Sequence, residues 1–193
     1  MPGEMSVGRF KITMEQFHAL RDERPKEEKW ELIEGVPVMM PPPSLMHQSI
    51  SQNLEYLLNR KLEDLGLPLR AHREIGVLLS NDDSYNPEPD VTVIDKEFAP
   101  DQLYAGKFYF VAEIVSPNDK ERVLSAKLAF YQGHAHCLGV IFVRQDQIGA
   151  TIYTRDCNWV AESLTAQNRI EVPNIGDIGI LADLYRNTPH FPQ

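Results

Sequence analysis

Val111-Ala112-Glu113-Ile114-Val115-Ser116-Pro117 is the stretch on which the fold turns. Together with Phe108 to Phe110, it reads as a strand buried on both faces, the kind found in the middle of a sheet. Ser116-Pro117 ends it, because proline cannot continue a central ladder. A carboxylate is almost never buried without a partner or a metal, so Glu113 is the residue in this strand that needs a reason. An ion pair is one reason, and a bound cation is the other.

On the N-terminal side, Pro87-Glu88-Pro89-Asp90 leads into the apolar run Val91-Thr92-Val93-Ile94, a second strand with Asp90 at its entrance. An aspartate before a strand is commonly only a turn residue. Its partner makes the difference. Two carboxylates on neighbouring strands, joined by a 22-residue connection, can converge on one hard divalent cation, and Mg2+ prefers oxygen ligands. On the C-terminal side, a helix is predicted from about Asp119 to Gln132, with Val123, Leu124, Leu128 and Tyr131 on its apolar side and Gly133 ending it. Lys127 lies on that helix, fourteen residues after Glu113 and one turn before Tyr131. From there an ammonium can reach back to the carboxylates, orient or help deprotonate an attacking water, and offset charge on a phosphorane-like transition state. A solvated helix lysine is the plainer alternative.

Further out, the first few residues carry no pattern. Thr13 and Gln16 form a capping box for a short helix through Phe17 and Leu20, and the charged stretch Asp22 to Lys29 predicts a loop. Trp30 to Ile33, the Glu34-Gly35 turn and Val36 to Met40 predict a β-hairpin with Pro37 at an edge, stopped by the prolines at 41 to 43. Ser44 caps a long helix whose stripe runs through Leu45, Ile50, Leu54, Leu57, Leu58, Leu62 and Leu65 to Gly66. Leu67 to Leu79 is expected as a strand, followed by a polar loop from Ser80 to Pro89. Leu138 to Val143 gives another strand, then turns at Asp146-Gln147 and Asp156-Cys157-Asn158, and a closing helical turn over Leu181 to Tyr185.

His47 shares the long helix's apolar stripe, so its ring points inward as a core histidine or a site residue. Glu31 and Glu34 in the hairpin are equally explained by strand alternation and turn formation. His134-Ala135-His136-Cys137 has zinc-ligand residue types but no second ligand pair at suitable spacing, so zinc is not the expected metal. Arg60, Lys61, Arg70 and Arg73 form the best local basic patch, with a solvated surface as the alternative.

A chain of 193 residues with 42% hydrophobic and 24% charged content suits one globular domain over residues 1–193. Neither a membrane span nor a signal peptide fits the sequence, and Cys137 and Cys157 are too few for a disulfide framework. A soluble cytoplasmic protein with two reduced thiols is therefore expected. The net charge of −9 argues against a surface that is basic all over. Phosphate contacts need only a local patch, however, and clustered carboxylates are neutralised when a cation binds.

Five ordered pieces resemble the Uma-two family of restriction-endonuclease-like proteins. They are Trp30-Glu31-Leu32-Ile33-Glu34-Gly35, Met39 to Ser44 with His47-Gln48, Pro89-Asp90, Glu113 to Pro117, and Lys127 with Tyr131. The resemblance implies an α/β (mixed α+β) fold of the PD-(D/E)XK nuclease type. Its central mixed sheet would be flanked by helices and extended by the N-terminal hairpin, with a motif-bearing core at about residues 30–145. It implies Asp90 and Glu113 as metal-binding catalytic acids, and Lys127 as the catalytic lysine moved onto the helix, since Val115 stands where the usual lysine would be. His47, Glu31, Tyr131 and Ser116 would support them. It also implies Mg2+, with Mn2+ as an alternative ion, and hydrolysis of DNA phosphodiester bonds; the apolar runs give no membrane partner, and the oligomeric state is open, although nucleases that cut duplex DNA often work as two-fold homodimers. Two departures from the family pattern are Val123, where a polar residue is usual, and the segment Gly133 to Val140. A non-catalytic nuclease-fold module binding nucleic acid or another partner is the alternative.

Overall fold

A computed structural model describes residues 11–79 and 81–191. The unpatterned first residues and the first position of the expected 80–89 loop lie outside the described residues. The element order is α1 (Met14–Asp22), β1 (Lys29–Ile33), β2 (Val36–Met40), α2 (Leu45–Asp64), β3 (Leu69–Arg73), β4 (Gly76–Val77), β5 (Val91–Asp95), β6 (Tyr104–Ala105) and β7 (Phe110–Val115). It continues with α3 (Glu121–Gly133), β8 (Gly139–Arg144), β9 (Ala150–Thr154), β10 (Glu162–Leu164), β11 (Arg169–Val172), β12 (Gly176–Ile180) and a 3-10 turn, Leu181–Tyr185. No helix among the described residues is long and apolar enough to cross a membrane.

A six-stranded sheet in the order β10-β9-β8-β7-β5-β3 is the centre of the molecule. It is mixed: β7 and β8 run parallel, and the other neighbours run antiparallel. The parallel pair needs a crossover, and α3 supplies it. Strand alternation divides β7 between two cores. Phe110, Ala112 and Ile114 pack with α2, whereas Val111 packs with Phe130 and Tyr131 of α3. Glu113 therefore belongs to the α3 face.

The local signals at the N-terminal elements are realised in detail. Thr13 and Gln16 cap α1 reciprocally. The hairpin turn places Glu34 at φ 53° and Gly35 at φ 75°, two positive values that match the twist of a two-residue connection. Ser44 Oγ accepts from His47 N at the start of α2. At its end, Gly66 N donates to Glu63 O and Leu67 N to Leu62 O, closing a Schellman motif about Gly66 at φ 62°.

Two expectations need correction. The single strand over Leu67 to Leu79 is in fact β3 and β4, which belong to different sheets. Glu74, at φ 54°, turns the chain out of the main sheet between them. The buried residues of α3 are Lys127, Phe130 and Tyr131, while Val123, Leu124 and Leu128 are only half-buried. The helix is thus turned so that a lysine takes the central inward position.

Candidate active site

The ladder between β5 and β7 ends with Val91 opposite Ala112, and one step beyond stand Asp90 and Glu113. Asp90 Oδ2 accepts from Ile114 N at 2.6 Å, so a side chain takes over where backbone pairing stops. Asp90 Oδ1 accepts from His47 Nε2 at 2.8 Å, which places the proton on that ring nitrogen. His47 comes from the first turn of α2, so the two helices approach the carboxylates from opposite faces of the sheet.

Glu113 is held from α3. Lys127 Nζ lies 3.1 Å from both of its carboxylate oxygens, and Tyr131 OH donates to Oε1 at 2.5 Å. The i, i+4 spacing of Lys127 and Tyr131 brings both groups onto one line of the helix surface. The same ammonium meets Glu31 of the hairpin, 3.1 Å from Oε1 and 2.8 Å from Oε2. Glu31 Oε1 also accepts from Glu88 N at 3.0 Å, in the loop that delivers Asp90. Exposures of 1% for Glu31 and Lys127, 6% for Glu113 and 8% for Asp90 make this a cluster of buried charges rather than a surface network.

Burial and charge act against each other here. Burial pushes the Glu113 carboxyl up, and the neighbouring Asp90 and Glu31 add to this. Lys127 and Tyr131 restrain the rise, leaving it at about 7. Burial also opposes ionisation of Asp90, but the hydrogen bond and charge of His47, the Ile114 amide and Lys127 outweigh it and hold this carboxyl below its usual value. For Lys127 burial favours the neutral amine, yet Glu113 and Glu31 overcome it and keep the ammonium charged. Burial together with the same carboxylates raises Tyr131 well above its ordinary value, so the phenol remains a donor.

Three carboxylates face one ammonium, so with all three ionised they carry up to two negative charges beyond those Lys127 offsets, which a divalent ion could balance. Both Asp90 oxygens and Glu113 Oε2 accept one hydrogen bond each from the described residues, and a carboxylate oxygen has room for about two. The donors are hard oxygens. Among the described residues no three His, Cys, Asp or Glu side chains are spaced to hold an ion. Mg2+ tolerates such a sparse protein set, because it commonly keeps several waters and takes only one or two carboxylates. By these criteria Asp90 and Glu113 fit a water-completed divalent site.

Other expected residues fall outside the cluster. Ser116 is half-buried, and its amide donates to Asp119 Oδ2 at 2.6 Å as the chain enters α3; its hydroxyl makes no hydrogen bond to the cluster. Two of the four residues of the basic patch are paired, Arg70 with Glu63 and Arg73 with Glu55. His134 stacks on Phe108 and bonds Gly106 O, and burial pushes the Cys137 thiol up to about 12, so these two side chains serve packing. The amides of Ile114 and Glu88 are site members that no residue type announces.

His47 orients Asp90 in the way an outer partner orients a metal ligand, and loss of such a partner commonly costs 10–100-fold in metal affinity. Were Asp90 to hold a divalent ion, His47→Ala would be expected to weaken Mn2+ binding by about 10–100-fold in calorimetry. An unchanged affinity would show that the contact at 2.8 Å does nothing for Asp90.

The fold and the buried carboxylate–lysine group define a class, a restriction-endonuclease-like α/β protein. A crystal structure from Anabaena variabilis ATCC 29413, described as a "putative nuclease", shares the fold with a TM-score of 0.72 and 17% identity, covering 90% of this chain and 97% of that one. The chain belongs to the Uma2 family, whose model, described as "Putative restriction endonuclease", matches residues 14–179. No curated protein matches it.

Proposed function

We propose that this protein is a Mg2+-dependent endonuclease that hydrolyses phosphodiester bonds of DNA, with Asp90 and Glu113 as metal-holding acids and Lys127 as the third catalytic group. The observation that carries this reading is the burial of three carboxylates, Glu31, Asp90 and Glu113, around a single lysine at one end of the sheet. Charge so placed is costly to a fold that needs nothing from it. A divalent ion held by Asp90 and Glu113 would polarise a phosphoryl oxygen and acidify a bound water.

The protein's own groups have distinct tasks. His47 and Ile114 N fix both oxygens of Asp90. Tyr131 fixes Glu113 Oε1. Lys127 is held as an ammonium by two carboxylates, so it cannot take a proton from water; it orients the nucleophile and offsets charge growing on the phosphate.

The experiment is conversion of supercoiled plasmid by the purified chain. Cleavage is expected with Mg2+ or Mn2+, none with chelator and none with Asp90→Asn. Equal conversion by wild type and Asp90→Asn, or no conversion by wild type with either ion, would remove the catalytic assignment. The pairing of Arg70 and Arg73 with glutamates, on a chain of net charge −9, favours the second reading, a nuclease-fold module without catalysis. That reading predicts an intact fold and no metal-dependent product.

A further inference from the structure

We infer that Glu31 is a positioning residue that lets Lys127 and a divalent cation occupy the site together. This rests on the metal-site reading above and adds the device that makes it workable. Glu113 faces a conflict. Lys127 Nζ already contacts both of its oxygens at 3.1 Å, and an ion bound by Glu113 draws on the same two atoms. Lys127 is 1% exposed and cannot withdraw into water. A buried ammonium that loses its only counter-ion is strongly unfavourable, so either the ion is excluded or the lysine has a second carboxylate to turn to.

Glu31 is that carboxylate. Its Oε2 is buried and accepts no well-formed hydrogen bond, although Lys127 Nζ stands 2.8 Å away. The distance is short and the direction is poor. This oxygen is thus a reserve acceptor toward which the ammonium can rotate when Glu113 turns to the ion. The other oxygen, Oε1, ties the same side chain to Glu88 N, two residues before Asp90.

Glu31 also enters from outside the six-stranded sheet. The hairpin that carries it docks on the loop before β5 through Asn86 N to Leu32 O at 2.8 Å and Gly35 N to Ser84 O at 2.7 Å. The lysine of α3 and the loop holding Asp90 are therefore referred to one side chain of the accessory hairpin. Without its charge, Lys127 has Glu113 alone and competes with the ion for it.

Calorimetric titration of the full chain with Mn2+ tests this, with circular dichroism confirming that each variant is folded. Glu31→Gln is expected to weaken Mn2+ binding about tenfold or more, within the range seen when a metal site loses an outer partner. Lys127→Met is expected to bind at least as tightly as wild type, because the competing cation is gone. The double variant Glu31→Gln/Lys127→Met is expected to return to within about threefold of wild type. A merely structural Glu31 would show no such rescue. Glu31→Asp keeps the charge and should keep most of the affinity, which covers the case in which Glu31→Gln does not fold. Unchanged binding in Glu31→Gln, a double variant as weak as Glu31→Gln, or a Glu31→Asp as weak as Glu31→Gln would overturn the inference alone. Wild-type protein that takes up no Mn2+ would overturn the metal site, and this inference with it.

Discussion

Lys127→Ala is expected to cost about 3–5 kcal/mol of unfolding free energy in the absence of metal, the usual penalty for removing one member of a buried ion pair. For a chain of this size each kcal/mol moves the midpoint by about 2–4 °C, so thermal unfolding should shift down by roughly 6–20 °C. The cause is what remains behind. Glu31, Glu113 and Asp90 would stay buried without the ammonium they share, and Tyr131 can satisfy only one oxygen of Glu113. Urea unfolding monitored by circular dichroism gives the measurement. Arg122→Ala is the control: its bond to Glu34 at 3.0 Å is equally well formed, but Arg122 is 66% exposed, and such pairs are worth about 0–1 kcal/mol. If the two variants lose similar small amounts, the ammonium is not paired in solution as it is here. Added Mn2+ should restore part of the loss in Lys127→Ala, by filling the same charge deficit.

The contrast between Lys127 and the basic patch shows what a sequence can convey. Apolar runs and caps are local, so the hairpin, the long helix and the strand around Glu113 could be placed from spacing alone. The inward direction of Glu113 followed too, since a carboxylate in a central strand has no solvent to face. Lys127 could not be resolved between site and surface. Its helix shows apolar residues on more than one side, and only the packing of α3 on the sheet selects the line through Lys127 and Tyr131. The pairing of Arg70 and Arg73 has a tertiary cause: the turn at Gly66 folds β3 back along α2, which brings Arg70 to Glu63 and Arg73 to Glu55. A count of cations in one segment does not see the anions brought to them. The amides of Ile114 and Glu88 are silent for a different reason, because every residue but proline carries one.

Glu113→Gln is expected to lower metal-dependent plasmid cleavage by about a thousandfold or more, equivalent to roughly 4 kcal/mol of barrier at 1.36 kcal/mol per decade. The fold should survive, and this is what makes the variant informative. Glutamine has the same shape, and its carbonyl oxygen can still accept from Tyr131. Lys127 retains Glu31 at 2.8 Å, so no buried charge is orphaned. Burial already works against the charge on Glu113, so neutralising it takes away an unfavourable feature of the native state. Activity and stability should therefore separate: cleavage lost, and urea midpoint without metal equal to wild type or higher. That pattern identifies a residue kept for chemistry at the expense of stability. Cleavage within tenfold of wild type would refute the assignment of Glu113. Loss of both cleavage and more than about 3 kcal/mol of stability would point instead to Glu113 as the counter-ion that holds α3 to the sheet.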